Sequence, residues 1–217
     1  MTRLLTRLTP LTLAMGLAAI AMTGVAPSSP QPVAVVTVDI PVTTWTVINS
    51  AQPGTSYWTG GYRDSIRVGK NPSDNSVWRG ILQAEISSLQ GRDIVDARLI
   101  ITLDHSASCN ATPVALHSFS TAISTEDSVT WGNSAAKFGP LLDVRYANAN
   151  GTGGCGTLQP DYVVSFTGTS LTTALGQAVQ QTHPQFTVGL RAPNEANSME
   201  WKKFRHTNIT LSVTYLA

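Results

Sequence analysis

A small set of residues in this sequence has side chains that could form a ligand site. They are Tyr57, Trp58, Tyr62, Arg191, Glu195 and Trp201. Aromatic rings pack against the apolar faces of sugar rings, and guanidinium and carboxylate groups fix the hydroxyls. These residue types therefore predict carbohydrate binding. Trp58 is the strongest candidate, because it follows Tyr57 in a glycine-rich loop where we expect both rings to be exposed.

Each of these candidates also has a structural interpretation. Tryptophans in a β-sandwich commonly pack in the core or at the rim, which applies to Trp131 and Trp201. The charged residues could be solvated or mutually paired, and exposed ion pairs contribute little stability. This charged set consists of Arg191, Glu195, Glu200, Lys202 and Lys203. Both interpretations stay open at the level of sequence.

No arrangement in the sequence predicts a catalytic or metal centre. The histidines lie in separate segments without HxxxH or HExxH spacing, and GxSxG is absent. Asp104 beside His105, or Glu126 beside Asp127, could in principle pair an acid with a base, but loop carboxylates are usually solvated. We predict no enzyme, no cofactor and no metal centre. The one alternative is a structural calcium, for which the weak candidates are Asp64, Asp74 and Asp127.

Composition places the chain among exported β proteins. Only 12% of the 217 residues are charged, and the net charge of +1 provides no electrostatic surface for nucleic acid. Residues 1–26 combine two arginines, an apolar run and small residues, as a secretory signal peptide does. We therefore predict a secreted protein, extracellular or attached to the cell wall, with no membrane span once the signal is removed.

The two cysteines, Cys109 and Cys155, are expected to form one disulfide. An even pair without CxxC spacing in an exported chain has this outcome far more often than a redox or metal role. Residues 27–41 are rich in proline and valine, which predicts a linker or an edge segment in which Pro41 interrupts the strand pattern.

Residues 42–217 show the alternation of a single all-β domain with nine or ten strands. The clearest strand is 94–103, in which every second residue is apolar. Residues 170–181 form the one predicted helix, short and amphipathic, capped by Thr169 or Ser170 and acting as a lid on the sandwich. Residues 120–136 show no sustained period and are expected to form a structured loop.

The stretch 186–204 predicts a hairpin. Phe186, Val188 and Leu190 alternate with polar or small residues, as in a strand buried on one face. Turn-forming residues follow, and a second strand then places Trp201 and the charged residues on opposite sides.

Four segments resemble the DNRLRE-domain family of exported bacterial proteins, and its actinobacterial members most of all. They are WRGILQAEISSL (78–89), residues 94–103, SVTWGN (128–133) and VGLRAPNEANSMEWKKF (188–204). The resemblance covers most of the chain after about Asn49 and implies a jelly-roll-like β-sandwich related to carbohydrate-binding modules. One departure is that Ala84 and Glu85 stand where the family usually has Phe-Asp.

Together these observations predict a secreted, non-catalytic module that binds polysaccharide or cell-wall material. The alternative is a structural or adhesive surface protein that assembles with other copies through strand edges or the segment beside Pro41.

Overall fold

The computed structural model describes residues 33–59, 62–151 and 153–217. By its contacts the chain separates into Met1–Pro32 and Val33–Ala217. The predicted signal peptide and residues 27–32 of the predicted linker or edge segment lie outside the described residues. The rest of that segment contains an edge strand that ends at Pro41. Within the described part, no helix is long and apolar enough to cross a membrane.

The described chain forms eleven strands and two α-helices, joined by loops and short 3-10 turns. The strands are β1 (Val35–Pro41), β2 (Thr44–Asn49), β3 (Ile66–Lys70), β4 (Val77–Glu85), β5 (Asp93–Ser106), β6 (Thr112–Phe119), β7 (Phe138–Ala147), β8 (Tyr162–Phe166), β9 (Gln185–Arg191), β10 (Lys202–Phe204) and β11 (Thr210–Leu216). The helices are α1 (Trp131–Ser134) and α2 (Thr169–Gln180). The predicted all-β class is confirmed.

All strand pairs are antiparallel and form two layers of one curled sheet. In the first layer β5 pairs with β11 and β10 along one edge and with β8 along the other, while β1 extends β11 and β3 extends β10. The second layer has the order β2-β4-β9-β6-β7. The layers join where β3 leaves β10 and pairs with β4 at Gly69 and Lys70.

The main core lies between the two layers. Alternation predicts Val95, Ala97, Leu99, Ile101 and Leu103 as the inward face of β5. The last four are buried in this core, but Val95 is 51% exposed, so the prediction is wrong at this end of the strand. Helix α2 adds Leu171, Leu175, Ala178 and Val179 to this core, which agrees with the predicted amphipathic helix. The helix begins at Thr169 with Gly168 as N-cap and no side-chain cap bond, so the predicted capping by Thr169 or Ser170 is wrong.

A second, smaller core covers the outer face of the second layer. Ile48 and Ile81 project outward from β2 and β4. They are covered by Phe119 at the end of β6 and by Ile123 and Val129 of the segment between β6 and β7. This segment is the predicted structured loop, but it also contains α1, which the sequence did not predict. The Phe138 ring lies so close to Gly189 that a Cβ there would be 2.2 Å from it. Strand β9 is therefore buried on both faces rather than on one.

The predicted hairpin at 186–204 is wrong. Strand β9 pairs with β4 and β6, whereas β10 pairs with β3 and β5 in the other layer. Alternation identifies each strand but not its partner, and the intervening residues are long enough to cross between layers about 10 Å apart. A 3-10 turn at Ser198–Glu200, with Glu200 buried, anchors this crossover.

The predicted disulfide is confirmed. Cys109 and Cys155 are joined with a Cα–Cα distance of 5.4 Å across a sequence separation of 46 residues. The enclosed loop contains β6 and β7, and the bridge ties its glycine-rich end to the turn after β5.

Candidate functional site

The expectation that Tyr57 and Trp58 are exposed is wrong, because their side chains are 3% and 7% exposed. Trp58 packs in the outer core, and its indole Nε1 donates a hydrogen bond of 2.8 Å to the carbonyl of Asp127. The Tyr57 hydroxyl donates to Gln52 Oε1 at 2.7 Å. Their loop folds inward because both rings find apolar neighbours and a partner for their polar atom.

Arg191 and Glu195 belong to a paired charge cluster, which was one of the alternatives the sequence left open. Glu195 accepts two hydrogen bonds from Arg79, at 2.6 and 2.8 Å, and lies 3.8 Å from Arg191 Nε. Arg79 in turn lies 4.6 Å from the ring centre of Trp131 and donates to the carbonyl of Ala135. The cluster fastens the crossover and the segment around α1 to β4.

Glu200 and Lys202 are buried, so a solvated interpretation is wrong for both. Glu200 accepts a hydrogen bond from the backbone of Asn194 at 2.9 Å. Lys202 is 0% exposed, and its ammonium bonds to the hydroxyl of Thr112. Burial lowers the pKa of Lys202 to about 8, while the nearby Glu200 acts in the opposite direction.

Trp201 and Tyr62 lie beside a groove of about 420 Å³, which we name the cationic groove. It is lined by Arg67, Asn71, Pro72, Ser73, His105, Ala107, Ser198, Met199, Trp201 and Lys203. Trp201 is only 4% exposed and contributes to the floor, whereas Met199 is exposed at the rim. Tyr62, at 42% exposure, contacts the groove through Arg67, whose guanidinium lies 4.7 Å from the ring centre of Tyr62.

Two cations and one histidine of this groove form a row across three neighbouring strands. Lys203 on β10 is directly opposite Arg67 on β3 and directly opposite His105 on β5. Residues directly opposite each other in an antiparallel pair point to the same face, where like charges destabilise one another. Among the described residues that line the groove there is no Asp or Glu. Burial and the neighbouring Lys203 both hold the pKa of His105 below its usual value.

The acidic groups near this row lie outside the groove lining. Asp64 pairs with Arg67 at 3.1 Å from an exposed position. Asp104 occupies the β-bulge opposite Lys203 and Phe204, and burial raises the pKa of its carboxyl. We find no partner arrangement that would make Asp104 and His105 an acid and base pair.

The structural calcium stays an untested prediction. Asp74 accepts hydrogen bonds from the backbone and hydroxyl of Ser76, and Asp64 accepts one from Ser65 besides its pairing with Arg67. In the part of the chain that the structure describes, no three His, Cys, Asp or Glu side chains gather as metal ligands would.

A larger groove of about 810 Å³ contains none of the residues predicted for the site. We name it the helix groove. It is lined by residues 118–122 and 140–142, by Thr169, Ser170, Thr173, Ala174, Gln177, Ala178 and Gln181 of the α2 segment, and by residues 183–187. One pattern in the sequence could have indicated this groove. Polar residues recur at intervals of four, which places them on one stripe of a helix; they are Thr169, Thr173, Gln177 and Gln181.

Comparisons with known proteins identify no family. No protein-family model and no curated protein match the chain. Among solved structures, the chain is similar to the K3 cleaved adhesin domain of Lys-gingipain from Porphyromonas gingivalis, with 12% identity, a TM-score of 0.37, and coverage of 81% of this chain and 94% of that one. The K1 adhesin domain of the same protein is also similar, with 12% identity, a TM-score of 0.29, and coverage of 85% of this chain and 98% of that one. At these low TM-scores neither likeness supports a conclusion about this chain.

Proposed function

We propose that this protein is an exported, non-catalytic module that binds an acidic polysaccharide or another anionic polymer of the cell wall in the cationic groove. The observation that carries the proposal is the row of Arg67, Lys203 and His105 on one face, with no carboxylate among the described lining residues. A bound carboxylate or phosphate would relieve the repulsion between Arg67 and Lys203, which lie directly opposite each other.

The row has dimensions that suit a polymer. Neighbouring strands lie about 4.8 Å apart, so the three side chains extend over roughly 10 Å across the sheet. Arg67 is held in place by stacking on Tyr62 and Trp78 and by its ion pair with the exposed Asp64, with which a bound polyanion would compete. Apolar surface beside the row comes from the exposed residues Met199 and Pro72, on which a sugar ring can pack.

Export is part of the proposal. The disulfide is of the kind that persists in oxidising compartments. The predicted signal peptide and the resemblance to the DNRLRE-domain family point to the same location, and that family includes members grouped with polysaccharide-binding modules.

The proposal is tested by titrating the exported protein with polygalacturonate, its carboxyl-reduced counterpart and poly(glycerol phosphate). We expect binding to at least one of the two polyanions and weaker binding to the reduced polymer. Carboxylate and phosphate ligands are separated by which polyanion binds. Lys203→Glu should weaken binding by about tenfold or more, because it reverses the charge at the centre of the row.

The matched control for this substitution is Arg98→Glu on β5 of the same layer. Arg98 is exposed, pairs with Asp96 and lies outside the cationic groove. We expect this variant to bind like the wild-type protein. Absence of binding to both polyanions, or equal loss in both variants, would contradict the proposal.

One observation favours a second candidate, a structural or adhesive protein that assembles through strand edges. Among the described residues, strand β1 has β11 as its one partner, and Val35 on β1 is 60% exposed. An open edge strand can pair with another chain. Light scattering on the purified protein tests this candidate: a stable dimer or polymer that Val35→Lys dissociates supports it, and a monomer at high concentration eliminates it.

A further inference from the structure

We infer that the helix groove is a second binding site, independent of the cationic groove, and that its ligand is an uncharged, hydroxyl-rich glycan chain. The two grooves share no lining residue. The inference therefore concerns a different surface and a different class of ligand from the proposed function.

The lining of the helix groove contains no charged side chain among the described residues apart from the titratable His183 at one end. Its polar groups are hydroxyls and amides, which both donate and accept hydrogen bonds. These are the complements of sugar hydroxyls. An ionic ligand would lose its hydration here without gaining an opposite charge, which is costly.

The polar groups along the helix are regularly spaced. Thr169, Thr173, Gln177 and Gln181 follow one another at intervals of four residues, about 6 Å along the helix axis. The stripe therefore extends over roughly 18 Å, which suits a chain with repeating hydroxyls better than a single small molecule. The opposite wall presents Ser118, Ser120 and Thr121.

These side chains are available to a ligand. Thr169, Thr173, Gln177 and Gln181 are exposed, and their side chains have no hydrogen-bond partner within the described residues. Between the two polar walls lies apolar surface from Phe119, Leu142, Ala178 and Phe186. A groove with polar walls and an apolar floor matches the two kinds of surface that a sugar chain presents.

A peptide ligand is the less suitable occupant. Peptides that bind in extended form add main-chain hydrogen bonds at an open strand edge. Here one wall is a helix, which presents side chains only, and Pro140 on the strand wall has no backbone N–H to donate.

The test is a screen of soluble neutral polysaccharides, namely dextran, mannan, xyloglucan and mixed-linkage β-glucan, against the exported protein by affinity electrophoresis. The test variant is Thr173→Val combined with Gln177→Met, which removes the hydroxyl and the amide at nearly constant volume. Gln180→Met is the matched control, since Gln180 is exposed on the same helix but outside the groove.

We expect at least one neutral polymer to bind, the double variant to lose at least about tenfold in affinity, and Gln180→Met to bind like the wild-type protein. Lys203→Glu should retain neutral-polymer binding, and the double variant should retain polyanion binding, which separates this inference from the proposed function. Circular dichroism confirms folding of each variant. Absence of binding to every neutral polymer, or binding that the double variant leaves unchanged, overturns the inference.

Discussion

Arg79 and Glu195 form a bidentate ion pair in which Arg79 Nε donates to Glu195 Oε1 at 2.6 Å and the second nitrogen donates to Oε2 at 2.8 Å. Both side chains are largely buried. Glu195 was a ligand candidate from sequence. Its carboxylate is instead directed at a buried arginine, which indicates a structural role.

Glu195→Ala should destabilise the fold by about 3 to 5 kcal/mol, because it leaves the Arg79 guanidinium buried without its partner. Urea denaturation of the variant measures this loss. The double variant Arg79→Met, Glu195→Leu should recover much of the stability, since neither charge remains. If Glu195→Ala unfolds at the wild-type urea concentration, the pair has no structural role.

The buried Lys202 should make stability depend on pH. Its pKa in the folded protein is lowered to about 8, from 10.5. Because the unfolded chain binds the proton more tightly, the contribution of this group to stability rises with pH between about 8 and 10.5 and is at its minimum below pH 8. At about 1.4 kcal/mol per pKa unit, the total change is roughly 3 kcal/mol.

Lys202→Met isolates this contribution. We expect the variant to be more stable than the wild-type protein at pH 6 to 7, and the difference to shrink as pH approaches 10. Melting temperatures measured across this range give the comparison, with Lys203→Met, which is not fully buried, as the neighbouring control. If the wild-type protein is more stable than Lys202→Met at pH 7, the prediction is wrong, and the contacts of the Lys202 ammonium offset the cost of burying it.

Removing the disulfide should cost about 4 kcal/mol. The two cysteines are 46 residues apart, and the bridge lowers the chain entropy of the unfolded state. Without it the unfolded state gains entropy and is favoured by about 4 kcal/mol. The double variant Cys109→Ser, Cys155→Ser, compared with the oxidised wild type by urea denaturation, measures it. A loss below about 1 kcal/mol would mean that the reduced chain keeps this loop ordered.

Gly69 should not tolerate a side chain. Its φ is +94°, and a Cβ would lie 2.9 Å from the carbonyl oxygen of Glu200, at the point where β3 passes between layers. We expect Gly69→Ala to destabilise the protein by more than about 1 kcal/mol. Gly54→Ala, which meets no atom within 4 Å, is the control and should be nearly neutral. Equal stability of the two variants would contradict the close approach.

Alternation in the sequence predicted most strands, and helical spacing predicted the amphipathic helix α2, because both depend on local periodicity. The disulfide was predicted from chemistry shared by exported proteins. Neither kind of signal predicted the partners of β9 and β10. Pairing is decided by contacts between distant segments, and the Ser198–Glu200 turn that directs the crossover resembles any polar turn in sequence.

The site was less accessible to sequence reasoning for the same reason. Trp58 is buried because the distant segment after β6 folds over the outer face, and Tyr57 because it packs against Trp78 of the main core; no local pattern indicates either contact. Arg67, His105 and Lys203 lie far apart in the chain and become a row only through the pairing of β3, β5 and β10. Of the predicted residues, Trp201 lines that groove and Tyr62 contacts it through Arg67.

The most direct test of anion binding in the cationic groove is calorimetric titration with whichever of polygalacturonate and poly(glycerol phosphate) the wild-type protein binds, carried out on wild-type protein, Lys203→Gln and Arg98→Gln at low and high salt. We predict that wild-type binding weakens strongly with added salt, that Lys203→Gln binds about tenfold more weakly with less dependence on salt, and that Arg98→Gln matches the wild type. Equal affinity of Lys203→Gln and wild-type protein at both salt concentrations would contradict this assignment of the groove.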